Sequence, residues 1–140
     1  MAEGDALVHN NFKEQLLLKT LDLVNDTFKI ALHDTAINSP DGAATAWINT
    51  NEISGSGYTT GGAAVQTPVV TQDDTNNWAK WDDNGSNITW SSLAANTILE
   101  AQLYDDTVSD YLLIMWEIAT NSNGGDYTIT FGANGIMTLA

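Results

Sequence analysis

A chain of 140 residues has room for one compact domain with a real hydrophobic core, because halving it would leave pieces too small to fold comfortably alone. The lack of cysteine excludes disulfides, Cys-based zinc sites, iron–sulfur clusters and thiol nucleophiles. With 18 acidic residues against 4 lysines and no arginine the net charge is −14, which argues against nucleic acid and against an anionic membrane surface as partners.

Residues Met1 to Asn10 read as a short, polar, flexible lead, and 11–140 as a single β-rich domain. Glu3 and Asp5 stand where a secretory signal would carry Lys or Arg, and no sustained apolar run follows, so no signal peptide is expected. Phe12, Leu16, Leu17 and Leu21 recur near a 3.6-residue period, which predicts one amphipathic helix over Asn11 to Leu21, capped by Asn10 or Asn11.

From Asp26 onward Thr, Val, Ile and Trp segments alternate with Gly, Asn, Asp and Ser clusters, the pattern of antiparallel β structure. Predicted strands are Thr27 to Leu32, Ala44 to Ile48, and a segment near Ala64 to Val70 that Pro68 confines to an edge. Gly55, Gly57, Gly61 and Gly62 around Tyr58 predict tight bends on either side of a short extended piece. Trp78 to Trp81 and Ile88 to Trp90, separated by Asp82 to Ser86, predict a hairpin.

Ile98 to Tyr104 and Tyr111 to Ile118 are the strongest strands, bridged by a polar turn around Asp105 and Asp106. Tyr127 to Phe131 and Ile136 to Leu139 follow, with Asn134-Gly135 as a hairpin signal between them. The longest apolar run, Tyr111 to Trp116, is strand length and far short of the roughly 18 residues of a membrane span. The predicted fold is mainly β, an antiparallel β-sandwich or jelly-roll-like barrel with one N-terminal amphipathic helix.

The supply of catalytic groups is thin. His9 and His33 are the only imidazoles and have no i, i+4 partner for a metal. Glu100 and Glu117 interrupt apolar strands and could form a carboxylate pair for glycoside hydrolysis, but strand alternation lets both simply face outward. Asp73-Asp74, Asp82-Asp83-Asn84-Gly85 and Asp105-Asp106 offer hard oxygen ligands, yet none has the spacing of a calcium loop, and turns use the same residues for their own hydrogen bonds. Trp78, Trp81 and Trp90 could stack on sugar rings, although aromatic residues more often fill cores or anchor interfaces. The expectation is no catalytic residue, no metal and no cofactor.

An ordered set of segments runs through the chain: Phe12 to Leu17, Asp26 to Leu32, Asn51 to Gly62, Ile88 to Ser91, Gly125 to Phe131, and Asn134 to Leu139. Together they resemble a family of small virion proteins of tailed bacteriophages, with head-decoration and tail-fibre-associated members. The resemblance implies a non-enzymatic particle component, located in the virion and assembled in the host cytoplasm. It implies a capsid decoration or cement protein that self-associates as a trimer or dimer on the major capsid protein, or a tail, neck or fibre-base component. A carbohydrate-binding module for host glycans is the reading from another class. Phe12, Leu16, Trp78, Trp81, Trp90, Tyr104 and Trp116 are the expected interface residues.

Overall fold

A computed structural model describes residues 5–35 and 45–140. The fold is mainly β and antiparallel, with one short helix near the N-terminus. In chain order the elements are β1 (Ala6–Val8), α1 (Asn10–Leu17), β2 (Phe28–His33), β3 (Ala63–Ala64), β4 (Val69–Asp73), β5 (Trp78–Asp82), β6 (Ile88–Trp90), β7 (Thr97–Asp105), β8 (Leu112–Asn121), β9 (Tyr127–Ile129) and β10 (Met137–Leu139). A five-stranded sheet, β1-β8-β7-β2-β3, packs in a sandwich-like arrangement against a three-stranded sheet, β10-β5-β4, and a two-stranded one, β6-β9.

The lead corrects the expectation of a flexible segment over its described part. Ala6, Leu7 and Val8 pair with Trp116, Met115 and Ile114 of β8, because this edge strand of the large sheet would otherwise expose apolar residues and an unpaired ladder. His9 is buried, and its amide donates to Leu113 O at 2.9 Å. His9, not Asn10 or Asn11, occupies the position before the first helical residue, and its side chain makes no capping bond.

The helix is shorter than its periodicity suggests. It stops at Leu18, where Thr20 N–H donates to Gln15 O at 3.0 Å and Lys19 N–H to Leu16 O at 3.2 Å, the two bonds of a Schellman cap. Leu21 still reaches the core, but from the turn that follows.

Two expected hairpins are corrected. β5 pairs with β4 on one side and β10 on the other, so both of its ladders are taken and none is left for β6, which pairs with β9 instead. The segment Asp82 to Ser86 therefore carries the chain from one small sheet to the other, and Asn134-Gly135 carries it back rather than closing a β9–β10 hairpin. Asp73 Oδ1 accepts from Thr75 N at 2.9 Å and Asn76 N at 3.0 Å, and this short turn is what makes β4 the neighbour of β5. Ile136 N donates to Trp81 O at 2.8 Å, which seats β10 on the other side.

The strand expected over Ala64 to Val70 is two strands. β3 lies at the edge of the five-stranded sheet and β4 at the edge of the three-stranded one, with Pro68 at the switch between them. In the Ala44 to Ile48 strand, Ala44 lies outside the described residues, and Ala46 makes only an isolated bridge to Tyr111. β7 and β8 form the predicted hairpin, with Asp105 Oδ1 accepting from Thr107 N at 2.7 Å and Val108 N at 2.9 Å in the turn.

The core lies between the sheets. Trp81 packs against Phe28 with ring centres 4.9 Å apart and against Phe12 at 6.0 Å, while its indole N–H donates to Leu23 O at 2.9 Å. The centre of the large sheet is also covered on its second face by residues from 45 onward. Trp47 stacks on Tyr104 at 4.7 Å, Ile48 N donates to Gln102 Oε1 at 3.3 Å, and Tyr104 OH donates to Gly61 O at 2.7 Å. Gly62 permits this close approach: at φ +79° its added Cβ would stand 1.8 Å from Ile30 O.

Candidate functional site

The most exposed large apolar side chains cluster at the end of α1. The inward face of the helix carries Phe12, Gln15 and Asn11, all buried. Consecutive helical residues are about 100° apart, so the run Leu16-Leu17-Leu18 spans about 200° and cannot all reach the core. Leu16 takes the inward place and is half-buried, leaving Leu17 86% and Leu18 63% exposed. They border an open depression of about 660 Å³ whose lining includes Lys13, Glu14 and Thr45.

Lys19, next after Leu18, is in a left-handed conformation, φ 57°, at the position after the cap where glycine is the usual residue. A side chain there costs about 1 kcal/mol relative to glycine. The cap thus gives up some stability and places a cation beside two exposed leucines, a combination that suits contact with another protein.

The expected interface residues do not share a surface. Phe12, Trp81, Trp90 and Tyr104 are buried within the chain's own core, a correction that follows from their size: each fills space between the sheets or under the 45–62 segment. Leu16, Trp78 and Trp116 are half-buried, on the helix, on β5 and on β8 respectively. Burial of Trp81 and Trp90 also leaves Trp78 without the two neighbours that a sugar-stacking platform would need.

Glu100 and Glu117 stand directly opposite each other on β7 and β8, and His33 is opposite Glu100 from β2. Glu100 does not face outward as expected. It is buried on the second face of the large sheet, where its Oε1 accepts from Gln102 Nε2 at 2.7 Å. His33 Nε2 lies 2.8 Å from Ile48 O and must donate to it, which fixes the tautomer and leaves Nδ1 as a buried lone pair with no hydrogen-bond partner among the described residues. Burial pushes the His33 pKa down, so the neutral ring is favoured. Glu100 and His33 are buried and Glu117 half-buried, so the row forms a polar seam across the sheet.

The other polar groups serve the covering segment. Tyr58 OH donates to Glu52 Oε1 at 2.7 Å and accepts from Leu32 N at 3.0 Å, and Gly61 N donates to the same Glu52 oxygen at 2.6 Å. Burial, with the Glu52 carboxylate beside it, pushes the Tyr58 hydroxyl well above its ordinary range. The Asp73 turn is held by hydrogen bonds to its own carboxylate, and the one from the Asn76 side chain is the chief cause of the lowered Asp73 pKa. Among the described residues no group of three or more His, Asp or Glu side chains is placed to hold a metal ion.

Comparison with protein-family models, with curated proteins and with solved structures found no match. Lys13, Leu18 and Lys19 are the residues that periodicity alone passed over, and Leu17, which it placed on the apolar stripe, is exposed instead. The signal that marks them is the triple leucine, which no single helix stripe can bury.

Proposed function

We propose that this chain is a non-enzymatic structural protein of a tailed-bacteriophage particle, a self-associating decoration protein that binds the assembled head. The observation that carries the reading is the pair Leu17 and Leu18, exposed together on a chain whose net charge is otherwise strongly negative. Apolar side chains grouped on such a surface suit a protein contact better than solvent. The ordered segments that resemble small virion proteins supply the setting. A protein that binds only the assembled shell stabilises that shell by mass action, without any reactive group. Acidity keeps the free protein soluble until a site is offered.

Expanded heads mixed with the purified protein and pelleted through a cushion provide the test. Saturable co-sedimentation, with heads that then resist heat or chelation better, is the expected result. A protein that stays in the supernatant at every concentration defeats the decoration reading.

A further inference from the structure

Two apolar patches on the described surface differ in the sign of the charge beside them. The first is the helix end. Of the four lysines, Lys29 and Lys80 are engaged by Asp106 and Asp82 at 2.7 Å each. Lys13 and Lys19 form no ion pair among the described residues, and Lys13 reaches only Asn10 Oδ1 at 3.3 Å. Over the helix and its cap, Asn10 to Lys19, these two cations outweigh the one carboxylate, Glu14.

The second patch is the open end of the three-stranded sheet. Val70 lies opposite Trp81, while Gln72 and Leu139 fall on two strands that both meet Ala79. Alternation therefore puts Val70, Gln72, Ala79 and Leu139 on the face that Trp81 turns to the core. They extend beyond that core, leaving Val70 49% and Leu139 58% exposed. The charge here is acidic: the Gln72 side-chain amide is hydrogen-bonded to the Asp74 carboxylate, and Asp73 closes the turn beside it.

We propose that these patches are the two halves of one contact between copies of this chain, with Leu17 and Leu18 of one copy seated on Val70 and Leu139 of the next. Lys13 and Lys19 then face the acidic rim around Asp74. Neither patch suits itself, because a two-fold contact at the helix end would set lysines against lysines, and one at the sheet end would set aspartates against aspartates. The contact therefore joins unlike patches, formed twice in a two-fold dimer where both pairs can meet at once, or once per neighbour in a closed ring of three or more copies. The inference rests on the proposed function only in taking this surface to meet protein.

Sedimentation velocity of the full chain at low salt tests it. Wild type is expected as an oligomer, and Leu17→Asp/Leu18→Asp and Val70→Asp/Leu139→Asp each as monomers with unchanged circular dichroism. An equal mixture of the two variants regains one intact contact per pair and sediments as a dimer. Lys13→Glu/Lys19→Glu weakens self-association about tenfold or more, and molar salt does the same to wild type. Lys19→Gly raises the melting temperature yet also weakens association, which a purely structural role for Lys19 does not predict.

A monomeric wild type, a paired variant that keeps the wild-type mass, or a mixture that stays monomeric each overturns the contact. Monomeric wild type that still pellets with heads sinks the contact and self-association but leaves head binding, whereas oligomers that ignore heads sink only the decoration reading.

Discussion

Replacing Asp105 with Asn should stabilise the protein at neutral pH. The Asp105 side chain is fully buried in the β7–β8 turn, and burial pushes its carboxyl up from the ordinary 3.8 to about 6 against the lowering effect of the Thr107 and Val108 amides. The nearby Asp26 carboxylate adds to the rise, and Asp105 Oδ2 has no hydrogen-bond partner among the described residues. A folded-state pKa above the unfolded one means that the contribution to stability is fully present below pH 3.8 and is lost as pH rises through about 6. The interval corresponds to about 3 kcal/mol, at about 1.4 kcal/mol per pH unit.

Asn keeps Oδ1 as the acceptor for both amides, and its Nδ2 can donate toward Asp26. Urea unfolding followed by tryptophan fluorescence at a series of pH values measures the effect. Asp105→Asn is expected to exceed wild type by about 1–3 kcal/mol near pH 7.5 and to match it near pH 4. Asp22, Asp73 and Asp82, whose pKa values are lowered by hydrogen bonds from Asn25, Asn76 and Lys80, act with the opposite sign in both proteins and cancel in the difference. A variant less stable than wild type at pH 7.5, or a difference that does not change with pH, would refute the reasoning.

Gly62→Ala should destabilise by about 2 kcal/mol or more in thermal unfolding, since its Cβ would collide with Ile30 O at a positive φ. Trp81→Ala should cost about 3–5 kcal/mol in the same assay, because it empties the space between Phe12 and Phe28 and leaves Leu23 O without its donor. His33 should show, by nitrogen NMR, a titration midpoint below the ordinary 6.5 with the neutral ring protonated at Nε2, and a midpoint above that value would contradict the burial argument. Its depressed pKa also means that its contribution to stability is present above the ordinary imidazole range and is lost as pH falls through the folded value.

Much of the fold was legible because strands with strong alternation or continuous apolar runs have few other ways to be buried. Thr27 to Leu32 and Ile98 to Tyr104 lie within one residue of β2 and β7 at each end, and Tyr111 to Ile118 within three of β8. Partner choice was not legible. Asn134-Gly135 forms a turn, and Gly135 has the positive φ that such a turn needs, but the strands on either side answer to β5 and β6, far away in sequence. Glu100 misled for a related reason. Alternation on β7 is real, yet the second face of the large sheet is covered as well, so an outward position is not an exposed one. Four of the aromatic residues offered as an interface, Phe12, Trp81, Trp90 and Tyr104, were the core, because size that favours one favours the other. The exposed leucines lay within the helix prediction and could have been found by asking how much of three consecutive leucines one face can hide.

Pairing between segments remote in sequence also bears on how the chain reaches this state. Apart from the β4–β5 and β7–β8 hairpins, the ladders join partners such as β1 with β8 and β5 with β10. Loops of that length must close before their contacts reward them, so folding belongs to the slow, millisecond-to-second regime of β proteins. Through that interval the apolar β7–β8 hairpin waits for β1 and β2 to flank it. Mutual repulsion among nascent copies then guards against clumping during the search, a protection that ends when the last edge is covered.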